Sequence, residues 1–190
     1  MTDKLKILAI SGSTRKVSSN LHLIHAIANL SADIFQVEIF EGLTGLPHFN
    51  PDIEPAPQEV IAFRKLLNEA DGVLICTPEY AIGVPGTLKN AIDWTVSDMN
   101  FSKKPVALIT ASLSGAKGHQ SLLGTLQIIE ARLTDHTQLL ISGIKVKVND
   151  QAVITDEVTL QQIQQLITSL AALIKGDLTG LLPAPSLFPA

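Results

Sequence analysis

The stretch LAISGSTRKVSSN, residues 8–20, runs from an apolar segment through a loop of small polar residues into a helical pattern. A β-rich run, a glycine-containing turn and an amphipathic stretch, in that order, are typical of the first strand-helix unit of an open α/β sheet. The same order of patterns recurs along the chain. Together with this recurrence, the stretch indicates an α/β fold.

The rest of the chain repeats that unit. Short β-rich runs are expected as strands at 6–11, 35–40, 72–77, 105–111 and 137–142. Helical periodicity predicts helices at 18–31, 57–70, 86–97, 119–134 and 157–175. Such an alternation favours a parallel sheet covered by helices on both faces. The sequence predicts a flavodoxin-like three-layer α/β/α sandwich with a five-stranded parallel sheet of order 2-1-3-4-5.

The pattern also predicts one domain followed by a short tail. Residues 1–175 are expected to form a single domain, since neither a repeat nor a linker divides them. Residues 176–190 carry three prolines and too little periodicity for a helix. We expect this tail to be loose or docked on another subunit.

Composition excludes several classes of function. Of the 190 residues, 46% are hydrophobic and 17% are charged, and the formal charge is −4, so a nucleic-acid partner is not expected. Cys76 is the single cysteine and no His/Cys spacing suggests a metal. No apolar run reaches the roughly 18 residues of a membrane helix, and the first residues are too charged for a signal peptide. The expectation is a soluble, cytoplasmic protein.

The loop quoted above is placed where such sheets bind ligands, at the carboxyl ends of the strands where the strand order reverses. It leads into a helix N-terminus, which attracts anions, and it carries hydroxyl groups and one arginine. The candidate phosphate-site residues are Ser11, Ser13, Arg15, Ser18, Ser19 and Asn20. The loop lacks the third glycine of a dinucleotide fingerprint and the Gly-Lys-Ser/Thr of a triphosphate loop. It therefore predicts a monophosphate site, and the alternative is an ordinary helix cap.

Two further loops are predicted to face the same crevice. In CTPEYAIGVPGTLKNAIDW, residues 76–94, prolines and glycines fix an irregular backbone that can present polar groups to a flat heterocycle beside Tyr80. In TASLSGAKGHQS, residues 110–121, Ser112 and Gly115 allow close approach to such a ring, although an ordinary turn explains them equally well. His119 is expected at a helix start or an interface.

The segments GSTRKVSSN and PEYAIGVPGTLKNAIDW together resemble the NAD(P)H-dependent FMN reductase family. Its members share a G-S-x-R-x-x-S-x-N loop and a P-E-Y-N-x-x-x-P-x-x-L-K-N-A-I-D-W segment. LPHFNPDIE, residues 46–54, is similar to the family's loop after the second strand, and the resemblance spans roughly residues 5–135. The resemblance implies noncovalent FMN, NADPH or NADH as cosubstrate, a small-molecule acceptor such as a quinone, azo dye, metal oxyanion or free flavin, and a homodimer or homotetramer.

The resemblance also implies roles for residues. Ser13, Arg15, Ser18 and Asn20 would bind the FMN phosphate, and Pro78, Glu79 and Tyr80 would lie along the ring and its linker. The family position after Tyr80 is usually Asn and here is Ala81, so one side-chain contact is missing. No catalytic side chain is expected, because FMN carries the hydride chemistry. Glu79 is therefore expected to anchor its loop or a neighbouring subunit.

Two alternatives remain at this point. One is a flavodoxin-like electron carrier. Such carriers typically cover the flavin ring with aromatic side chains and dock through a strongly acidic face, whereas this chain has one Trp, one Tyr and a modest net charge. The other is a non-catalytic module that binds FMN or another ligand.

Overall fold

The structure is a computed structural model that describes residues 3–185. Within that range, strands and α-helices alternate along the chain. The strands are β1 Leu5–Ser11, β2 Phe35–Phe40, β3 Gly72–Thr77, β4 Val106–Ser112 and β5 Gln138–Ser142. The helices are α1 Ser19–Leu30, α2 Gln58–Glu69, α3 Gly86–Asp93, α4 Ala116–Ile128 and α5 Glu157–Ile174. All neighbouring strands are parallel in the order β2-β1-β3-β4-β5, which confirms the predicted fold.

Two apolar layers hold the sandwich together. Helices α1 and α5 cover one face of the sheet and α2, α3 and α4 cover the other. Every residue of β3 is buried, so this central strand has apolar side chains on both faces. The apolar runs of the sequence are explained by this double burial.

The register of the sheet brings the strand ends to one edge. Ser11 pairs with Cys76, Thr77 with Thr110, and Ser112 with Ser142. The loops after β1, β3, β4 and β5 therefore leave the sheet at about the same level. The order reverses between β1 and β3, which is where ligands bind in open α/β sheets.

The prediction for α4 was wrong at both ends. The helix was expected at 119–134 but begins directly after Gly115, whose φ of 96° is left-handed. It ends in a Schellman motif, in which Glu130 has a φ of 64° and the Ala131 N–H donates to the Leu126 carbonyl at 2.9 Å. Apolar periodicity continues past this point, but the chain has already turned to lie beside the start of β4.

Trp94 lies in the core, with 2% of its surface exposed. Its Nε1 donates to the Pro47 carbonyl at 2.8 Å, and its ring meets Phe49 edge-on at 5.0 Å. Asn90 also binds this loop, accepting from the Phe49 N–H at 2.7 Å. The loop after β2 is thus tied to α3, and Trp94 is not available to stack on a cofactor.

The tail is attached to its own chain as far as the structure describes it. The Leu182 N–H donates to the Leu133 carbonyl at 2.8 Å, and Gln127 donates to the Pro183 carbonyl at 2.7 Å. This differs from the expectation of a loose tail or one docked on another subunit, and residues 186–190 lie outside the described range. Among the described helices, none has the length and apolar character to span a membrane.

Candidate active site

A cavity of about 820 Å³ opens at the carboxyl edge of the sheet. This volume is within the usual range for small-molecule sites. Most of the predicted site residues line it: Ser13, Arg15, Ser18, Ser19, Asn20, Pro78, Tyr80 and Ser112. Four other candidates are not among the lining residues: Ser11, Glu79, Ala81 and Gly115. The cavity therefore gathers the loops after β1, β3 and β4, as expected from the register.

The loop after β1 presents unpaired donors to this cavity. The Ser18 side chain caps α1 by accepting from the Leu21 N–H at 3.1 Å. In the described part of the chain, the backbone N–H groups of residues 16–20 donate to no protein acceptor. Arg15 is exposed and lines the cavity with no carboxylate partner among residues 3–185. A helix N-terminus, free N–H groups and a guanidinium make an anion site.

Two residues at the start of the loop, Gly12 and Ser11, bear on how it is packed and on what it can bind. An added Cβ at Gly12 would collide with the buried side chain of Thr77, so only glycine allows this close approach of β1's end to β3. The Ser11 hydroxyl is buried and has no hydrogen-bond partner in the structure. A buried, unpaired hydroxyl is a group that a ligand can satisfy. These features and the free N–H groups fit a phosphate-bearing cofactor.

Asn20 is held by the core. Its Nδ2 donates to the Ala111 carbonyl at 3.1 Å, and its Oδ1 accepts from the Cys76 thiol at 3.2 Å. Burial raises the pKa of the Cys76 thiol, so the group stays protonated and able to donate. The side chain of Asn20 thereby joins the start of α1 to the ends of β3 and β4. One Nδ2 hydrogen remains for a cavity ligand.

Glu79 anchors the loop after β3 to the start of α4. Its Oε2 accepts from the Gly118 N–H at 2.7 Å, and α4 has no side-chain cap of its own at Gly115. A carboxylate at a helix N-terminus is stabilised by the free N–H groups and the helix dipole. This is the anchoring role expected for Glu79 from the sequence.

The tip of the same loop is a strained two-residue turn. Tyr80 and Gly83 exchange both backbone hydrogen bonds, at 3.0 and 2.8 Å. Between them, Ala81 and Ile82 have φ values of 50° and 63°. Such a turn favours Asn and Gly, and a β-branched residue is disfavoured there. Tyr80, which is 46% exposed, is the side chain that this turn presents to the cavity.

Replacing Ile82 with glycine is expected to stabilise the protein. Ile82 is 72% exposed, so little burial is lost, while relief of its left-handed backbone outweighs the entropy cost of glycine. We expect the free energy of unfolding to rise by about 0.5–1 kcal/mol, measured by urea titration. Ile82→Val keeps the branched side chain and should leave stability unchanged. A lower free energy of unfolding in Ile82→Gly would contradict the explanation that the backbone at Ile82 is strained.

His119 does not reach the cavity. It is 8% exposed in the first turns of α4, and its Nδ1 lies 2.9 Å from the Thr110 hydroxyl and its Nε2 2.5 Å from Gln138 Oε1. The imidazole therefore ties α4 to β4 and β5. This agrees with a residue at a helix start and excludes direct contact with a ligand in the cavity.

A fourth wall was not foreseen from the sequence. The segment after β5 lines the cavity together with Val17 and Leu113, and it contributes Gly143, Ile144, Lys145, Val146, Val148 and Asp150. His22, on α1, lies at the same wall, 3.7 Å from Asp150. The signal available was the position of GIKVKVND directly after the fifth strand, since all parallel strands end at one edge.

The comparisons with known proteins decide the family. A family model described as NADPH-dependent FMN reductase matches residues 5–144. The chain belongs to the NADPH-dependent FMN reductase family. The match includes the loops after β1, β3 and β4.

Relatives of similar length agree with this family. A quinone reductase of Escherichia coli is 30% identical over 92% of this chain and 98% of its own length. An NAD(P)H-dependent FMN reductase of Pseudomonas aeruginosa is 31% identical over 90% and 95%. A 2-hydroxy-1,4-benzoquinone reductase of a Burkholderia species is 32% identical over 90% and 97%.

A solved structure supports the same assignment. The flavoenzyme FerB of Paracoccus denitrificans, an NAD(P)H:acceptor oxidoreductase, superposes with a TM-score of 0.74 at 25% identity, covering 94% of this chain and all of its own. This member of the FMN reductase family is therefore an FMN-dependent oxidoreductase that uses NAD(P)H. An enzyme of this class is neither a carrier of the flavodoxin kind nor a non-catalytic module.

Proposed function

We propose that the cavity holds FMN with its phosphate at the start of α1 and its ring between the loops after β3 and β4. The observation that carries the proposal is the row of unpaired N–H groups at residues 16–20 beside Arg15. Ser13, Ser18, Ser19 and Asn20 complete the phosphate end, and the buried Ser11 hydroxyl supports it from behind. Pro78, Tyr80 and Ser112 flank the ring, with Ala81, Glu79 and Gly115 shaping the loops that carry them.

The chain's own residues have a positioning role in this proposal. FMN, when bound, supplies the transfer of hydride from NAD(P)H and of electrons to an acceptor. The protein fixes the cofactor by its single phosphate, holds Tyr80 at the mouth through the turn at 80–83, and leaves room in the cavity for one substrate at a time. Alignment of two flat rings is the main requirement for such a transfer. No side chain is assigned as a proton donor.

We propose quinones as the acceptor class. The names of the relatives from Escherichia coli and Burkholderia point to quinones. The cavity rim fits them, because Val17, Leu113 and Val146 are 67%, 88% and 82% exposed and line it. Exposed apolar side chains around a pocket favour a flat apolar substrate. Azo dyes, metal oxyanions and free flavin are the competing acceptors to assay alongside.

The assembly and location proposed are a homodimer or homotetramer in the cytoplasm, built from single domains of residues 1–175. Leu113, which is exposed and lines the cavity, supports self-association, and a single buried cysteine suits a reducing compartment. Light scattering coupled to size-exclusion chromatography tests the assembly. A monomer at all concentrations would overturn that part of the proposal.

The cofactor proposal is tested by substituting the arginine of the phosphate end. Arg15→Ala is expected to weaken FMN binding by about 1.5–3 kcal/mol, because a charged hydrogen bond to the phosphate is lost. Quenching of FMN fluorescence during titration measures the affinity. The matched control is Lys16→Ala, since Lys16 is exposed but does not line the cavity.

The proposal fails if Arg15→Ala binds FMN as tightly as the unsubstituted protein does at low salt. It also fails if the unsubstituted protein retains no flavin absorbance after loading and desalting. A retained absorbance that bleaches anaerobically with NADPH or NADH supports the function and reveals the preferred donor.

A further inference from the structure

The charges of the cavity are distributed over two of its walls. Apart from Tyr80, its ionisable lining residues are Arg15, His22, Lys145 and Asp150. His22 and Asp150 face each other at 3.7 Å, while Arg15 and Lys145 make no ion pair among residues 3–185. Arg15 follows β1 and Lys145 follows β5, and β3 and β4 lie between these strands. Three steps of about 4.8 Å separate the two strands. The segments that carry the two cations therefore leave the sheet about 14 Å apart.

The segment that carries Lys145 is anchored to the core. Ile144 and Val148 are 5% and 4% exposed and pack in the layer beneath α1 and α5. Gly143, with a φ of 66°, turns the chain out of β5 and donates to the Leu113 carbonyl at 3.3 Å. The exposed residues between the two anchors, Lys145 and Val146, line the cavity. Lys145 is thus held at the wall by its neighbours.

Lys147 provides an internal comparison. It lies two residues further along the same segment, does not line the cavity, and places its Nζ 3.8 Å from Asp156 Oδ2. One lysine of this segment therefore has a carboxylate partner from the start of α5, and the other faces the cavity. A cation that faces a ligand cavity without a protein partner is suited to an anionic group of a ligand.

The ligand that brings such a group follows from the proposed function, on which this inference rests. FMN has one phosphate, and the start of α1 with Arg15 is assigned to it. The nicotinamide cosubstrate enters the same cavity to align its ring with the flavin, and it brings a pyrophosphate, with a further 2′-phosphate in NADPH. We propose that Lys145 binds a phosphate of the nicotinamide dinucleotide. Val146 beside it offers an apolar contact to the adenosine.

Equilibrium binding tests the assignment without relying on turnover. NADP⁺ and NAD⁺ are titrated by calorimetry into FMN-loaded protein carrying no substitution, Lys145→Ala, Lys145→Arg or Lys147→Ala. We expect Lys145→Ala to raise the Kd for the dinucleotide about tenfold. Lys145→Arg is expected to keep most of the original affinity, and Lys147→Ala is expected to leave the Kd unchanged. The Kd for FMN is expected to stay the same in all four proteins.

The two dinucleotides distinguish the sources of the phosphate. A rise for NADP⁺ alone assigns Lys145 to the 2′-phosphate, and a rise for both assigns it to the pyrophosphate. An unchanged dinucleotide Kd in Lys145→Ala overturns the inference, as does an equal effect of Lys147→Ala. A higher Kd for FMN in Lys145→Ala also overturns it, because the lysine would then belong to the flavin phosphate. If the unsubstituted protein does not bind FMN, the proposed function itself fails first.

Discussion

Gly118→Ala is expected to lower the free energy of unfolding by about 3 kcal/mol and to weaken FMN binding. A Cβ at this position would lie 2.5 Å from the Gly83 carbonyl oxygen and 3.0 Å from Glu79 Cγ. The contact with the Gly83 oxygen is not tolerated, since that atom belongs to the backbone, and the contact with Glu79 requires a shift of the side chain that binds the Gly118 N–H. The loop after β3 must therefore move away from α4, which breaks the Glu79 hydrogen bond and displaces Tyr80. Urea unfolding and FMN titration measure the two effects.

The control is a second glycine of the same helix. An added Cβ at Gly124 meets no atom within 4 Å, so Gly124→Ala should stabilise the protein by about 0.5–1 kcal/mol through helix propensity. The two substitutions are expected to change the free energy of unfolding in opposite directions, which distinguishes the close contact at Gly118 from the effect of helix propensity. Equal effects would show that α4 does not pack against the loop as described.

Asn20→Ala is expected to cost about 2–4 kcal/mol of folding free energy and to abolish tight FMN binding. The substitution leaves the Ala111 carbonyl and the Cys76 thiol without partners and opens a void beneath the start of α1. Because Asn20 joins α1 to β3 and β4, the free N–H groups of residues 16–20 lose their fixed position. Thermal unfolding and FMN titration, both on protein purified without added flavin, measure the losses.

The conservative substitution at the partner residue checks this explanation. Cys76→Ser keeps a donor toward Asn20 and should retain most FMN affinity, whereas Cys76→Val removes the donor and should weaken binding. If Asn20→Ala folds normally and loses only FMN affinity, Asn20 acts as a phosphate ligand alone, and its role as a link between the elements is wrong.

The fold followed from local patterns in the sequence. β3 is apolar from Val73 to Cys76, which is the pattern of a strand buried on both faces, and it became the centre of the sheet as expected. The end of α4 could not be found in this way. Apolar periodicity continues past Ile128, and the helix stops because Glu130 adopts a left-handed conformation. A glycine or asparagine would have indicated such a position in the sequence, but a glutamate does not.

The site was predictable where motifs carry the chemistry and unpredictable where tertiary contacts decide. The loop of residues 11–20 was placed at the cavity by its glycine, serines and arginine. The dual attachment of Asn20 depends on a thiol and a carbonyl that lie 56 and 91 residues away along the chain. The wall after β5 was missed because its lining residues, Lys145 and Val146 among them, form no known motif, and only the sheet register brings them to the site.

The burial of Cys76 has a consequence for the chemical durability of the enzyme. Quinones, the acceptor class proposed for this enzyme, are electrophiles that alkylate thiolates as well as accepting electrons, so an enzyme that reduces them would be exposed to damage by its substrates. The only thiol of this chain is fully buried, is held protonated by its surroundings and donates its hydrogen to Asn20. With Cys76 buried, an unreduced quinone outside the protein therefore finds no exposed thiolate to alkylate on the folded chain.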